Sequence, residues 1–264
     1  MSMITILPPD QRPPWDQLAP MPESRASDRK PTIVGHRGAS GLAPENTLAA
    51  FQAAADLKID GVEFDVQRTT DGHLIVFHDD ELDRTTDGQG AVYDRTLAEI
   101  KVLDAGVKFD PRFRGERIPT LEETFELLRP TNLLLFVELK DPWRFPGMEQ
   151  EVADLIRRYN LVDRAQVRSF YHASLHTFFR VAPEIPLSAL WFERLPEDDE
   201  VTFKVIDALY TLYTPENIAH IHDRGQLVTA WTVDDLDDAR RLMRAGIDSL
   251  TTNYPDRLLA LFES

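Results

Sequence analysis

Residues 32–66 read TIVGHRGASGLAPENTLAAFQAAADLKIDGVEFDV. The run 32–36 is short and rich in β-formers. Residues 44–57 read as a helix: Pro44 suits a first turn, and Leu48, Phe51 and Ala55 fall on one face. The run 61–66 then returns to strand. Strand, helix and strand in one stretch make a βα unit, which implies parallel pairing.

The same rhythm continues outward from this unit. Thr70-Asp71-Gly72 is a turn signal followed by a strand at 74–78, and so short a gap makes that pair an antiparallel hairpin. Strands are expected at 133–139, 165–170, 185–191, 208–212, 226–231 and 247–251. Helices are expected at 121–128, 147–159, 172–180, 215–223, 233–245 and 255–262, with Gly246 a stop signal after the 233–245 helix. Without the hairpin strand, eight strands remain, which fits a (β/α)8 barrel of the TIM type. The alternative is a doubly wound open sheet, but no Gly-x-Gly-x-x-Gly follows the first strand.

Two segments break the rhythm. Residues 1–31 hold seven of the 18 prolines and read as an irregular arm, with Trp15 and Leu18 able to pin it to the body. Residues 79–118, rich in charge, Gly and Thr, read as an insertion above the C-terminal face of the barrel. Residues 32–264 are otherwise one domain.

Composition narrows the function. The net charge is −16, with 45 acidic residues against 29 Lys and Arg. Such a field repels nucleic acid and anionic membranes, so a phosphate must be handled in a locally basic or metal-loaded pocket. There are no cysteines, which excludes disulfides, zinc-thiolate sites and thiol nucleophiles. The longest apolar run, 133–137, falls far short of the roughly 20 residues of a membrane span. The segment Met3-Ile4-Thr5-Ile6-Leu7 is too short for a signal sequence, and a cytoplasmic location is expected.

Within this frame, Glu63 and Asp65 lie two apart on one buried strand and share a face. Two unpaired buried carboxylates cost several kcal/mol, by order of magnitude, unless a cation accompanies them. On the next ring strand, Glu138 and Lys140 also share a face. Glu63, Asp65 and Glu138 then converge, and three carboxylates with no soft ligand suit Mg²⁺ or Ca²⁺. The plainer alternative is a Lys140–carboxylate salt bridge with no metal. The hairpin turn places His78 opposite Glu63. His36 ends the first strand at the same mouth. Arg37 beside it offers a bidentate fork for phosphate oxygens, and Gly38 and Gly41 let the chain turn close to a ligand. Glu45 and Asn46 open the next helix, where helix-end charge and a solvated amide are their ordinary uses.

Taken in order, His36-Arg37-Gly38, Pro44-Glu45-Asn46-Thr47, Glu63-Phe64-Asp65, His78-Asp79, Glu138-Leu139-Lys140, Ser169-Phe170 and Trp231-Thr232-Val233 resemble the glycerophosphodiester phosphodiesterase family. The resemblance runs from about Thr32 to Leu259. It implies a (β/α)8 barrel and hydrolysis of glycerophosphodiesters to glycerol 3-phosphate and an alcohol. It also implies one divalent cation on Glu63, Asp65 and Glu138, with Glu45 at or near it. His36 and His78 match an acid/base pair, Arg37 and Lys140 match phosphate contacts, Asn46 is supporting, and Trp231 lines the substrate pocket. Tyr171 and the ending Thr252-Asn253-Tyr254-Pro255-Asp256 depart from the family pattern and bear on head-group preference. Three other readings stay open: a lysophospholipase D-type activity with an acyl groove at Trp191, Phe192 or the insertion; a glycosidase using two of the three carboxylates; and a non-catalytic phosphoester-binding barrel.

Overall fold

Strand β1 (Thr32–Gly35) is the seed of the sheet in the computed structural model, which describes residues 30–262 apart from 199 and 202. The proposed arm at 1–31, with Trp15 and Leu18, lies almost wholly outside the described residues. Helix α1 (Leu48–Asp56) and strand β2 (Gly61–Arg68) complete the first βα unit. Thr47 caps α1 by accepting a hydrogen bond from the Ala50 amide, so the helix begins later than the expected position 44. The reason is local: Asn46 adopts φ +56° and cannot belong to the helix.

Strand β3 (Leu74–Val76) pairs antiparallel with β2 and lies outside the ring. Beyond it come a one-turn helix α2 (Leu97–Ile100), α3 (Leu121–Leu128), β4 (Leu134–Leu139), α4 (Met148–Arg158), β5 (Ala165–Ser169), α5 (His172–Val181) and β6 (Leu187–Trp191). The chain finishes with β7 (Val205–Leu209), α6 (Pro215–Asp223), β8 (Leu227–Trp231), α7 (Leu236–Ala245), β9 (Ser249–Thr252) and α8 (Pro255–Ala260). The ring runs β1-β2-β4-β5-β6-β7-β8-β9 and closes through β9 onto β1, every neighbouring pair parallel. It is a closed barrel, not an open doubly wound sheet.

Three details differ from the sequence expectations. The segment expected as a strand at 208–212 is split: β7 ends at Leu209, and Tyr210–Leu212 is a 3-10 turn. Helix α7 starts at Leu236 because the Asp235 carboxylate accepts from the amides of Asp237 and Asp238 and fixes the N-terminus there. The hairpin pairs Val66 with Val76 and Gln67 with Ile75, one residue off the expected register, so Asp65 rather than Phe64 stands opposite Phe77. No helix bridges β6 and β7 among the described residues; there Arg194 clamps Glu200 through two short hydrogen bonds.

The faces of β2 explain both the core and the site. Phe64 points outward and meets Phe51 of α1 and Phe125 of α3 edge-on, at centroid distances of 5.6 and 6.3 Å. Glu63 and Asp65 consequently point into the barrel. Strand β3 is shared between two apolar bodies. Leu74 and Val76 join the main core, while Ile75 packs with Phe77, Leu82, Val92, Ile100, Ala105 and Ile118 in a second core under residues 79–118. No helix among the described residues is long and apolar enough to cross a membrane.

Candidate active site

Parallel register brings the carboxylates together. Asp65 stands beside Glu138, and Glu63 lies two residues before Asp65 on the same face. One oxygen from each of Glu63, Asp65 and Glu138 lies within 4.8 Å of the others. All three side chains are buried. Burial, with the charges of Asp65 and Glu138 close by, pushes the Glu63 pKa well above the usual carboxylate range. Burial also works against the Asp65 anion, but His78, Lys140, Arg37 and a hydrogen bond from Asn46 outweigh it and hold Asp65 well below the usual range. Such a cluster, made only of hard oxygen donors and short of positive charge, can hold a divalent cation.

The cationic side of the site is equally defined. Lys140 Nζ lies 2.8 Å from Glu138 Oε1 and 3.6 Å from Asp65 Oδ1. The salt bridge offered as an alternative to a metal is therefore present, yet Lys140 reaches only two of the three acids, Glu138 and Asp65. Arg37, at φ +54°, donates its backbone N–H to Glu63 Oε2 at 3.0 Å and Nη1 to Glu45 Oε1 at 2.7 Å. Its Nε is buried without a hydrogen-bond acceptor among the described residues and lies 3.5 Å from Asp65 Oδ2. Asn46 donates Nδ2 to Asp65 Oδ2 at 2.8 Å, so its amide serves the acid cluster and is not solvated.

Glu45 is joined to the acid cluster through Arg37, which also reaches Asp65. Its carboxylate lies between Arg37 and Arg84, outside the three-acid cluster. Arg84 comes from the insertion and makes four hydrogen bonds of 2.6–2.9 Å, two to Glu45 and two to Asp79.

Both histidines are oriented by side chains whose roles the sequence did not reveal. His36 Nδ1 lies 2.7 Å from Asn253 Oδ1, and Asn253 donates Nδ2 to Asp234 Oδ2 at 2.6 Å. That leaves His36 Nε2 facing the acids, 4.0 Å from Glu63 Oε2. Burial and the Arg37 charge lower the His36 pKa to about 4. His78 Nδ1 lies 2.6 Å from Asp79 Oδ1. Gln67 fixes the backbone there, donating to the carbonyls of Phe77, His78 and Asp79.

Trp231 ends β8 and forms an aromatic wall with Phe170, edge-on at 5.5 Å, and Phe192, stacked at 6.1 Å. Lys140 Nζ sits 6.0 Å from the Phe170 ring, which ties this wall to the charged centre. Phe192 is 55% exposed, whereas Trp191 is buried against His172.

Residues 36–257, which include every one of these groups, match the glycerophosphoryl diester phosphodiesterase family. The chain belongs to this family. A glycerophosphodiester phosphodiesterase of Caldanaerobacter subterraneus is 40% identical over 237 residues, covering 88% of this chain and 98% of that protein. One from Bacillus altitudinis is 35% identical over 240 residues, covering 88% and 98%. Among solved structures, a phosphodiesterase of Oleispira antarctica in complex with the product sn-glycerol-3-phosphate matches with a TM-score of 0.80 at 31% identity, covering 89% of this chain and 97% of that one. The glycerophosphodiester phosphodiesterase of Agrobacterium tumefaciens matches with a TM-score of 0.75, also at 31% identity, covering 88% and 100%. Membership in a glycerophosphoryl diester phosphodiesterase family sets aside the glycosidase reading and agrees with the hydrolase expected from the ordered motifs.

Proposed function

We propose that this protein hydrolyses glycerophosphodiesters to glycerol 3-phosphate and an alcohol, with one Mg²⁺ or Ca²⁺ held by Glu63, Asp65 and Glu138. The observation that carries this reading is the juxtaposition of that acid cluster with Arg37 and Lys140 and with two separately oriented histidines. A glycosidase would have no use for the two cations or the histidines.

When bound, the cation supplies positive charge to the phosphoryl oxygens. Arg37 and Lys140 grip the same phosphate and stabilise charge gathering on it in the transition state. Of His36 and His78, one takes a proton from the attacking hydroxyl as the new P–O bond forms. The other gives a proton to the departing alkoxide as the old P–O bond breaks. The attacking group is water or the substrate's own glycerol 2-hydroxyl; the second gains from proximity and gives a cyclic phosphate, which water then opens to glycerol phosphate. A diester lacking that hydroxyl separates the two routes: undiminished turnover excludes the intramolecular one. Trp231 lines the pocket beside the phosphate. An acidic, cysteine-free chain fits a cytoplasmic setting.

The test is release of glycerol 3-phosphate from glycerophosphocholine and glycerophosphoethanolamine with Mg²⁺, with Ca²⁺ and with chelator. Metal-dependent release is expected; folded protein that releases none with either metal overturns the reading. The exposed Phe192, stacked on Trp231, favours lysophospholipid as a second substrate class. Choline release from lysophosphatidylcholine, lost in Phe192→Ala, would establish it.

A further inference from the structure

Arg168 is the one charged residue of β5, and the mechanism above gives it no task. It stands beside Glu138 in register, in the row Asp65–Glu138–Arg168 that crosses β2, β4 and β5. Register partners in a sheet share a face and lie about 5 Å apart. An arginine in that position has every reason to form a bidentate pair with the neighbouring carboxylate. It does not. Its Nη1 lies 3.0 Å from Asp207 Oδ2 on β7, and its Nη2 donates to Gln166 Oε1 at 3.2 Å. The guanidinium rests 4.5 Å from the Phe136 ring. Gln166 and Phe136 each precede the row by two residues, so the side chain folds down, away from the barrel mouth. Ser188 steadies the far end, donating to Asp207 Oδ2 at 3.5 Å.

We infer that Asp207 keeps the divalent-cation site open by holding Arg168 off the carboxylates, which makes both of them positioning residues for the cation. A stability role alone explains the pair poorly. Arg168 is 3% and Asp207 0% exposed, and a buried ion pair roughly breaks even against apolar packing. Glu138 already carries Lys140. A second cation folded onto it would take up oxygens that the metal needs and would repel the metal itself. Among the described residues, Asp207, across the barrel interior, is the carboxylate that holds the guanidinium instead.

This inference rests on the metal-binding reading of Glu63, Asp65 and Glu138, and calorimetry on the full chain separates the two. Titration of the metal-free protein with Mg²⁺ and with Mn²⁺ measures cation affinity directly. In Asp207→Asn, affinity is expected to fall at least tenfold, and the double variant Arg168→Gln/Asp207→Asn is expected to return to within about threefold of the starting protein. Should Asp207→Asn fail to fold, Arg168→Gln alone decides: with the neighbouring positive charge gone, cation binding tightens at least threefold. Unchanged affinity in a folded Asp207→Asn, no recovery in the double variant, or unchanged or weaker binding in Arg168→Gln overturns the inference. A starting protein that binds neither ion overturns the metal reading, and the inference falls with it.

Discussion

The Asn253 amide oxygen lies 2.7 Å from His36 Nδ1, and Asp234 holds the other end of that amide so that it cannot turn over. An amide oxygen accepts, so His36 carries its proton on Nδ1 and presents a bare Nε2 to the acid cluster. Asn253→Leu frees the ring. We expect a loss of about 10- to 100-fold in kcat/KM with unchanged circular dichroism, against about 10²- to 10⁴-fold for His36→Ala or His78→Ala. A loss below tenfold for either histidine variant removes that histidine from acid/base catalysis.

Arg84 joins the insertion to the site by its bonds to Glu45 and Asp79. The side chain is half exposed, so its salt bridges contribute little to stability. Arg84→Ala should therefore leave Tm within a degree or two while kcat falls about tenfold, because Asp79 no longer holds His78 in one orientation. Arg84→Lys should recover only part of the rate, since an ammonium cannot fork between two carboxylates. Equal losses of Tm and activity would mean that Arg84 merely supports the fold.

Cation binding should register as heat resistance. A ligand at 100 times its Kd stabilises the folded state by about 2.7 kcal/mol. Differential scanning calorimetry with and without Mg²⁺ should show this rise for the unaltered chain and none for Asp65→Asn.

Acid should weaken the metal-free protein through His36. Its pKa is about 4 when folded, against the ordinary 6.5 of an unfolded chain. Between those values the unfolded chain takes up a proton that the folded chain refuses, so stability is full above pH 6.5 and falls as the pH drops towards 4. The loss amounts to about 3 kcal/mol. Denaturant titrations in chelator across this window should show a shallower decline for His36→Gln.

Phe64 anchors the outer face of β2 between Phe51 and Phe125. Phe64→Ala should cost about 3–5 kcal/mol in urea unfolding. It should also reduce cation affinity, because the same strand aims Glu63 and Asp65 inward.

The readable parts were those with short-range causes. Alternation on β2 was enough to place Glu63 and Asp65 on one face, and the strand count was enough to bring Glu138 beside them. The parts that escaped depend on chain segments far apart or on loops without a period. Asn253 and His36 are 217 residues apart, and no local pattern links them. Arg84 sits in the aperiodic insertion, where nothing marks it among its charged neighbours. The hairpin register was off by one because Thr69 closes the turn onto the His73 carbonyl, a choice the turn composition alone does not make. Glu45 looked like a helix opener only because the left-handed Asn46 was not visible in the sequence.

Strand β3 has one further consequence. Its alternate residues belong to different cores, Leu74 and Val76 to the barrel and Ile75 to the insertion. Swinging the insertion aside would strip Ile75 and Phe77 bare, so this flank of the mouth behaves as a fixed jamb. The opposite flank carries the exposed ring of Phe192 and a link to β7 with no helix among its described residues.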